Sequence, residues 1–504
     1  MKKRALINFA SSLIYQFTNL LIGLLLPKFY TEIFGSTYNG LNQTISQIMS
    51  FLSVLQFGIA AASIQQMFKY IVNNDEKTIS AIYWNSGKQY KKMGYFFLGI
   101  IIPIIFVFPF VIKDELNYWL VVSFVLFRAL SAAIEYFFQA KYSIILIANN
   151  KTYAIYIINT ALLIFSTVLH FIVLFTFENI ILYQAVAVLS TLIRFVVVNT
   201  YVRKNFPYLQ KNRNKKIELP DNNKRKDVLV SEVAGMIIDS TDMIVLSTFS
   251  GLIYTSIYSV YNFVVLGLGN VLGSCREAVF AGLGKTYNQD LNRFRQEFSD
   301  FESIYLFLVF FLYSVALFLF KPFILTYTAN MDAEYYLVGL PILFIISRML
   351  VNLRIPAIVA INTAGHFKEV KKYAVIEAFI NAILSLILVH FWNIYGVLIG
   401  TIAGSLFRTP ILIHYANKHI IKRKTFDYVK KILLWLPLFI GTYILSIFVS
   451  LDCDTLIDWV IKAIPVGIIG LICACIWMLI IDRNVFKSML SGIIRKVFKT
   501  KEKH

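Results

Sequence analysis

The stretch RKNFPYLQKNRNKKIELPDNNKRKD, which runs from Arg203 to Asp227, is the most polar part of this 504-residue chain. It holds nine Lys or Arg residues against three acids, and long apolar runs lie on both sides of it. Charged side chains at this density are too costly to place in hydrocarbon. The stretch must therefore lie in water, and it divides the chain into two parts.

The rest of the chain is strongly apolar, with 58% hydrophobic residues, 15% charged residues and a mean hydropathy of +0.68. Its repeated apolar runs are near the length of about 20 residues that a helix needs to cross a bilayer. In lipid such runs form helices, because every backbone polar group must be bonded within the segment. The sequence predicts an all-α polytopic membrane protein.

We predict fourteen membrane-spanning helices, arranged as two six-helix lobes followed by two further helices. The predicted parts are a first lobe over 1–202, a basic linker over 203–227, a second lobe over 228–420, two helices over 421–482 and a basic tail over 483–504.

The distribution of positive charge supports this map. Segments on one predicted side hold 38 of the 48 Lys and Arg residues, whereas the other side keeps only Lys28, Lys113, Lys321 and Lys462. Lys and Arg concentrate in cytoplasmic loops, so both chain ends are predicted to be cytoplasmic. The net charge of +20 then reflects topology, and no nucleic-acid partner is predicted.

The two lobes share features in the same order and orientation. The fourth and tenth predicted spans carry Arg128 and Arg348, and the sixth and twelfth carry Arg194 and Arg408. An even number of spans and a linker on one side make the two lobes parallel repeats, which is one established transporter design.

Two stretches resemble a known family. FGSTYNGLNQTISQIMSFLSVLQFGIAAASIQQMFKY, from Phe34, is similar to the first turn and second helix of bacterial polysaccharide-biosynthesis flippases. STDMIVLSTFSGLIYTSIYSVYN, from Ser240, resembles their seventh and eighth helices. These proteins belong to the multidrug/oligosaccharidyl-lipid/polysaccharide exporter superfamily, which also contains the multidrug and toxin extrusion (MATE) proteins. The resemblance implies a MATE-like fold with a central cavity that opens alternately to either side.

The resemblance also implies a function. Such flippases turn an undecaprenyl-pyrophosphate-linked oligosaccharide from the cytoplasmic to the outer leaflet of the bacterial inner membrane, for O-antigen, capsule or similar assembly. The expected partners are this lipid-linked substrate, membrane lipids and polysaccharide polymerase or assembly proteins. Nucleotide-binding, metalloprotease and nucleophile-elbow motifs are absent from the sequence, so no enzyme activity and no cofactor is predicted.

A pyrophosphate crossing the membrane needs cations, and arginine binds phosphate through two parallel hydrogen bonds. The candidate cavity cations lie within predicted spans; they are Arg128, Arg348, Arg194, Arg408 and Arg354. An alternative stays open, because intramembrane acids could instead hold these arginines in structural ion pairs.

Four acids are candidates either for H⁺ or Na⁺ coupling or for a counter-ion role; they are Glu232, Asp239, Asp242 and Glu135. Two rival functions also stay open. One is a multidrug cation/H⁺ or Na⁺ antiporter of the same fold, and the other is a membrane polysaccharide polymerase.

Overall fold

The computed structural model describes residues 2–53, 56, 59–212, 235, 240–449 and 451–487. These residues are almost entirely helical, and they contain no strand. Eleven of their helices are long and apolar enough to cross a membrane. One of the eleven, Phe367–Ile421, contains the eleventh and twelfth predicted spans. The prediction of an all-α polytopic membrane protein is confirmed.

The chain divides into two compact units, Met1–Ile257 and Tyr258–His504. The helices that begin in the first unit are α1 (Lys2–Phe34), α2 (Ser36–Ser53), α3 (Ile59–Val72), α4 (Glu76–Val111), α5 (Tyr118–Ile134), α6 (Ala140–Ala148), α7 (Thr152–Ile172), α8 (Ile180–Asn205), α9 (Tyr208–Lys211), α10 (240–249) and α11 (Leu252–Gln289). A π-helical segment, Glu135–Gln139, joins α5 to α6, and another, Val173–Phe177, extends α7.

In the second unit the helices are α12 (Leu291–Tyr327), α13 (Leu340–Leu353), α14 (Ile355–Ala364), α15 (Phe367–Tyr415), α16 (Thr425–Phe448) and α17 (Leu456–Ile481). Helix α15 is interrupted at Asn393, whose φ of 45° and ψ of −124° are not helical. It therefore has two halves, one on each side of this residue. A π-helical segment, Ala416–Ile421, follows it.

Equivalent helices in the two repeats begin about 215 residues apart, namely α2 and α11, α4 and α12, and α7 and α15. Aspartates cap two of them: Asp75 accepts from the backbone N–H of Thr78, and Asp290 accepts from those of Asn292 and Arg293. Each carboxylate satisfies N–H groups that the first turn of a helix leaves unbonded. Helices α4 and α12 therefore begin with the same kind of cap.

The turns that precede α7 and α15 are also repeated. Asn150 and Gly365, 215 residues apart, both adopt positive φ, at 54° and 76°. The next residues, Lys151 and His366, each donate a backbone hydrogen bond to the carbonyl five residues earlier. This left-handed helix ending favours Gly and Asn.

Close packing inside α15 depends on a G-x-x-x-G-x-x-x-G run formed by Gly396, Gly400 and Gly404. A Cβ on Gly400 would overlap Ser385, and a Cβ on Gly404 would lie 3.0 Å from the carbonyl oxygen of Glu377. Small residues at this spacing let two helical backbones approach in lipid, where packing rather than the hydrophobic effect drives helix association. The run fixes how the two halves of α15 face each other.

Helix α10 and the first residues of α11 pack within the first unit. The backbone N–H of Lys113 donates to the carbonyl of Ser247 at 3.2 Å, and that of Leu252 donates to Asp114 at 2.7 Å. Asn39 on α2 donates to the hydroxyl of Ser256 at 2.7 Å. We call these three hydrogen bonds the junction contacts. They explain why the boundary of the unit lies beyond the basic linker.

The start of the basic linker packs on α4. Trp84 donates through its indole nitrogen to the carbonyl of Leu209 at 2.8 Å, and Phe206 and Leu209 are buried. The linker residues from 213 to 227 lie outside the described residues.

The two C-terminal helices pack on α12. Trp435 of α16 stacks on Phe310, and Trp459 of α17 donates to the carbonyl of Leu319. A Cβ on Gly470 would overlap Val315, so the absence of a side chain there lets α17 approach α12 closely.

Candidate functional site

Arg128 lies on α5, and its Nη2 donates a 2.7 Å hydrogen bond to the side-chain oxygen of Asn42 on α2. It is half-buried, and its Nε is a buried donor with no partner. Among the residues that the structure describes, no carboxylate pairs with it. Its only hydrogen-bonded partner there is therefore a neutral amide, which leaves the positive charge uncompensated.

Neutral polar groups surround this guanidinium. Gln184 on α8, only 1% exposed, donates to the same Asn42 oxygen at 3.4 Å. Tyr30 and Tyr183 interact electrostatically with Arg128, and the centroids of their two rings are 4.8 Å apart. We call Tyr30, Asn42, Arg128, Tyr183 and Gln184 the Arg128 cluster.

His170 on α7 packs against the Arg128 cluster through Tyr183. Its ring lies 4.3 Å from that of Tyr183, and its Nδ1 is bonded to the carbonyl of Ser166 at 2.7 Å. With His170, four helices of one unit, α1, α2, α7 and α8, supply amide, hydroxyl and imidazole groups around the guanidinium that α5 carries. Such a set can bind an anion and also hydrogen-bond hydroxyl groups.

The second repeat has a corresponding pair. Arg348 on α13 donates to the side-chain oxygen of Asn262 on α11 at 3.1 Å. Next to it, the amide of Asn352 donates to the Tyr313 hydroxyl at 3.0 Å and to the Arg348 carbonyl at 2.9 Å. An arginine held by an asparagine is thus present in both repeats.

Arg354 and Arg408 share one acid. Arg354 donates to Glu377 Oε1 at 2.6 Å, and Arg408 donates to Glu377 Oε2 at 2.7 Å. Glu377 is 1% exposed. This is the ion-pair arrangement that the sequence left open beside cavity lining, and here it joins the residue between α13 and α14 to both halves of α15.

A second buried acid in this unit also holds two cations. Glu302 on α12 is 2% exposed and is paired with Arg423, and its Oε2 lies 3.6 Å from Lys431 Nζ. Lys431 also donates to the hydroxyls of Ser299 and Ser303. The cluster attaches α16 to α12, so its role in the fold is structural.

The remaining candidates are spread out. Arg194 on α8 is half-buried and makes no hydrogen bond or ion pair with the described residues. Asp242 on α10 is 2% exposed, whereas Glu232 and Asp239 lie outside the described residues. Glu135 begins the π-helical segment after α5 and makes no ion pair within the described part of the chain.

The sequence alone did not single out Asn42, Gln184, Tyr30 or Tyr183. One signal was available, because Asn42 and Asn262 each precede an arginine by the same 86 residues. No group of three His, Cys, Asp or Glu side chains suited to a metal ion occurs among the described residues.

No protein-family model matches the sequence, and no curated protein sequence matches it. Solved structures do match the fold. An inward-facing multidrug resistance MATE family transporter of the MOP superfamily has a TM-score of 0.61 at 12% identity, covering 82% of this chain and 96% of that one. A MOP superfamily transporter from Pyrococcus furiosus, described as having a binding pocket of reverse polarity, has a TM-score of 0.55 at 13% identity, covering 84% and 97%.

An outward-facing MATE transporter of the same superfamily has a TM-score of 0.50 at 15% identity, covering 85% of this chain and 97% of that one. At these identities the likeness is one of fold. The chain is a multi-pass membrane protein with the fold of MATE transporters of the MOP superfamily.

Proposed function

We propose that this protein is a transporter of the bacterial inner membrane, with both chain ends in the cytoplasm. It moves an undecaprenyl-pyrophosphate-linked oligosaccharide from the cytoplasmic to the outer leaflet by alternating access. The observation that carries the proposal is the uncompensated charge of Arg128, which donates only to the neutral amide of Asn42 among the described residues.

A lone guanidinium inside a membrane protein is costly, at about 2.5–3.5 kcal/mol on insertion scales. In the second unit, by contrast, Glu377 and Glu302 each hold two cations. Arg128 lacks that compensation. A substrate that brings its own negative charge, such as a pyrophosphate, would supply it through two parallel hydrogen bonds.

The neutral members of the Arg128 cluster fit the rest of such a substrate. Amides donate and accept hydrogen bonds, and tyrosines combine a hydroxyl with an apolar ring. Gln184 and Tyr183 can therefore hydrogen-bond sugar hydroxyls or phosphate oxygens without adding a charge. A cationic drug would be repelled by the same arginine.

Alternating access requires contacts that break when one side opens. We propose the junction contacts for this role on the outer side, because they join α2 and the loop after α4 to the beginning of α11. Gly40 strengthens the argument, since a Cβ there would overlap the carbonyl of Leu252.

A second candidate function is a multidrug cation antiporter driven by H⁺ or Na⁺. One observation favours it, namely that Asp242 is a buried acid on α10. A polysaccharide polymerase is a weaker alternative, since the 12-residue segment between α12 and α13 offers little room for a catalytic domain.

The test replaces Arg128 in a strain that lacks the chromosomal copy. We expect Arg128→Ala to lower polysaccharide export about tenfold or more, as loss of a hydrogen bond to a charged group does. Lipid-linked oligosaccharide should then accumulate in the cytoplasmic leaflet. Arg203→Ala, an exposed change in the last turn of α8, is the control and should export normally.

Normal export by Arg128→Ala at the wild-type protein level would remove Arg128 from substrate binding. Normal export by the deletion strain, with increased susceptibility to cationic drugs, would favour the antiporter. Flipped but unpolymerised units on the outer face would favour the polymerase.

A further inference from the structure

Helix α1 carries a row of polar side chains along one face. Ser12, Gln16 and Asn19 have the spacing i, i+4 and i+7, which brings side chains together on one face of a helix. Gln16 and Asn19 are exposed, and Ser12 is half-buried. We call these three residues the α1 polar face. It consists of two amides and a hydroxyl, and residues 8–23 of the chain include no charged side chain.

Two other sides of α1 border the α1 polar face. On one of them Tyr15 packs on Tyr156 of α7, with 5.8 Å between the ring centroids. On the other lie the apolar residues Leu13, Phe17 and Leu20, which are 49%, 65% and 45% exposed. At about 100° per residue, the α1 polar face lies between these two sides. It is therefore placed between a side that packs on the unit and a side suited to lipid.

The amides of the α1 polar face have hydrogen-bonding capacity to spare. Gln16 donates to the Ser12 hydroxyl at 3.1 Å, and within the described part of the chain this is the one side-chain hydrogen bond of the face. By contrast, Asn8, one turn before Ser12, accepts from the backbone N–H of Tyr153 at 2.8 Å. Gln16 and Asn19 both lie in a candidate membrane span, Ala10–Phe34. Because exposed amides are costly in hydrocarbon, we expect the face to line water.

The α1 polar face points along the helix to the Arg128 cluster. Tyr30, a member of that cluster, follows Ser12 by 18 residues, which is about five turns of 3.6 residues, so both lie on the same face of α1. Along the helix axis Tyr30 is about 16 Å from Asn19. Gly23 lies between them on this face and has no side chain that would interrupt it.

We infer that the α1 polar face binds the sugar part of the transported lipid by hydrogen bonds to its hydroxyl groups. The inference rests on the proposed function, because it needs a substrate whose phosphate lies at Arg128. Amides and hydroxyls donate and accept hydrogen bonds, which is what a sugar hydroxyl requires. A face without charge suits a neutral ligand, and the sugar is the water-soluble part of the substrate that is joined to the phosphate.

Binding of two probes to the full-length protein in nanodiscs tests the inference. One probe is the lipid-linked oligosaccharide isolated from the deletion strain, and the other is undecaprenyl pyrophosphate, which has no sugar. We expect Gln16→Leu combined with Asn19→Leu to raise the Kd for the first probe about tenfold, the scale of losing two neutral hydrogen bonds. The Kd for the second probe should not change. Arg128→Ala should raise both Kd values.

Thr18→Val is the matched control on the same helix. Thr18 lies on another side of α1, and its hydroxyl donates to the carbonyl of Ile14 at 2.8 Å. We expect this variant to bind both probes as the wild type does. Leucine at positions 16 and 19 is favourable in lipid, so the level of the double variant in the membrane should not fall. That level is measured alongside its oligomeric state.

Three results would overturn the inference. Wild-type Kd values for both probes in the double leucine variant would show that the face does not contact sugar. Increased Kd values for both probes would place the two amides in the phosphate site. A changed oligomeric state would identify the face as a contact between copies of the chain.

The outcomes also separate the two proposals. If Arg128→Ala weakens binding while the double leucine variant does not, the sugar assignment is wrong and the proposed function stands. If the deletion strain exports normally and accumulates no lipid-linked oligosaccharide, the proposed function is wrong and the sugar assignment is lost with it.

Discussion

The guanidinium of Arg128 donates a 2.7 Å hydrogen bond to the side-chain oxygen of Asn42. Arg348 and Asn262 form the same pair in the second repeat, also 86 residues apart in sequence. Both members of the second pair lie 220 residues after those of the first, whereas the helix starts are offset by about 215. The two residues of the pair have the same offset, so both repeats keep the contact between arginine and asparagine.

Asn42→Asp tests whether the uncompensated charge of Arg128 matters. The substitution keeps the shape of the side chain and places a carboxylate 2.7 Å from the guanidinium. We expect the protein to fold normally and export to fall about tenfold, because an internal ion pair competes with the substrate phosphate. Export of the oligosaccharide and accumulation of its lipid-linked precursor are the measurements. Wild-type export by Asn42→Asp would show that the free charge is not required.

Glu377→Gln tests the structural role of the acid that Arg354 and Arg408 share. Removing its charge takes away the acid to which both Arg354 and Arg408 donate, and breaking such a buried pair costs about 3–5 kcal/mol. We expect a large drop in the midpoint of thermal unfolding in detergent. Glu369→Gln, at an exposed position on the same helix, should change stability by less than about 0.5 kcal/mol.

If Glu377→Gln instead unfolds like the wild type but loses export, the cluster belongs to the transport site. The double substitution Glu377→Gln with Arg408→Leu distinguishes the cases further. It also removes one of the two cations that Glu377 holds, so it should recover part of the lost stability.

Cross-linking across the junction contacts tests alternating access. In a background without the four native cysteines, Asn39→Cys and Ser256→Cys replace side chains that are 2.7 Å apart. We expect oxidation to block export and reduction to restore it, since a disulfide holds the two Cβ atoms within about 4.5 Å.

The matched control is the pair Ser63→Cys and Ser86→Cys. Their hydroxyls are also 2.7 Å apart and buried, but they join α3 and α4 of the same repeat. Export should survive this cross-link. Export that persists when the Asn39–Ser256 pair is oxidised would mean that these helices stay together throughout transport.

The cap of α4 predicts a dependence on pH. The pKa of Asp75 is lowered, chiefly by the hydrogen bond from the Thr78 hydroxyl and then by that from the Thr78 backbone. Because the pKa of Asp75 is lower in the folded protein, its carboxylate stabilises the fold at pH values above the unfolded-state pKa of about 3.9. This stabilisation is lost as the pH falls through the lower folded-state pKa. Asp75→Ala should cost about 1 kcal/mol near pH 7.

To check this pH dependence, the midpoint of thermal unfolding is measured in detergent for the wild type and for Asp75→Ala, from pH 7 downward. The quantity of interest is the difference between the two midpoints. It should stay constant to about pH 4 and then narrow. A difference that is independent of pH would show that the carboxylate charge contributes nothing to the cap.

Much of the fold could be predicted from sequence, and little of the site. The paired positions of Arg128 and Arg348 were visible as a repeat, but nothing local distinguished Arg128 from Arg354. Arg354, between α13 and α14, meets Glu377 of α15, which lies 23 residues later in the chain. Arg128 meets Asn42 across 86 residues.

The amino-acid sequence by itself determined that the chain forms membrane-spanning helices and that they occur as a repeat. These properties are local, because in lipid each helix must satisfy its own backbone hydrogen bonds and each basic loop must stay in water. Only the tertiary structure decided that Arg354 and Arg408 share an acid whereas Arg128 donates to an amide. That outcome depends on the depth and rotation at which separate helices face each other, and close packing of small residues such as Gly400 and Gly404 sets both.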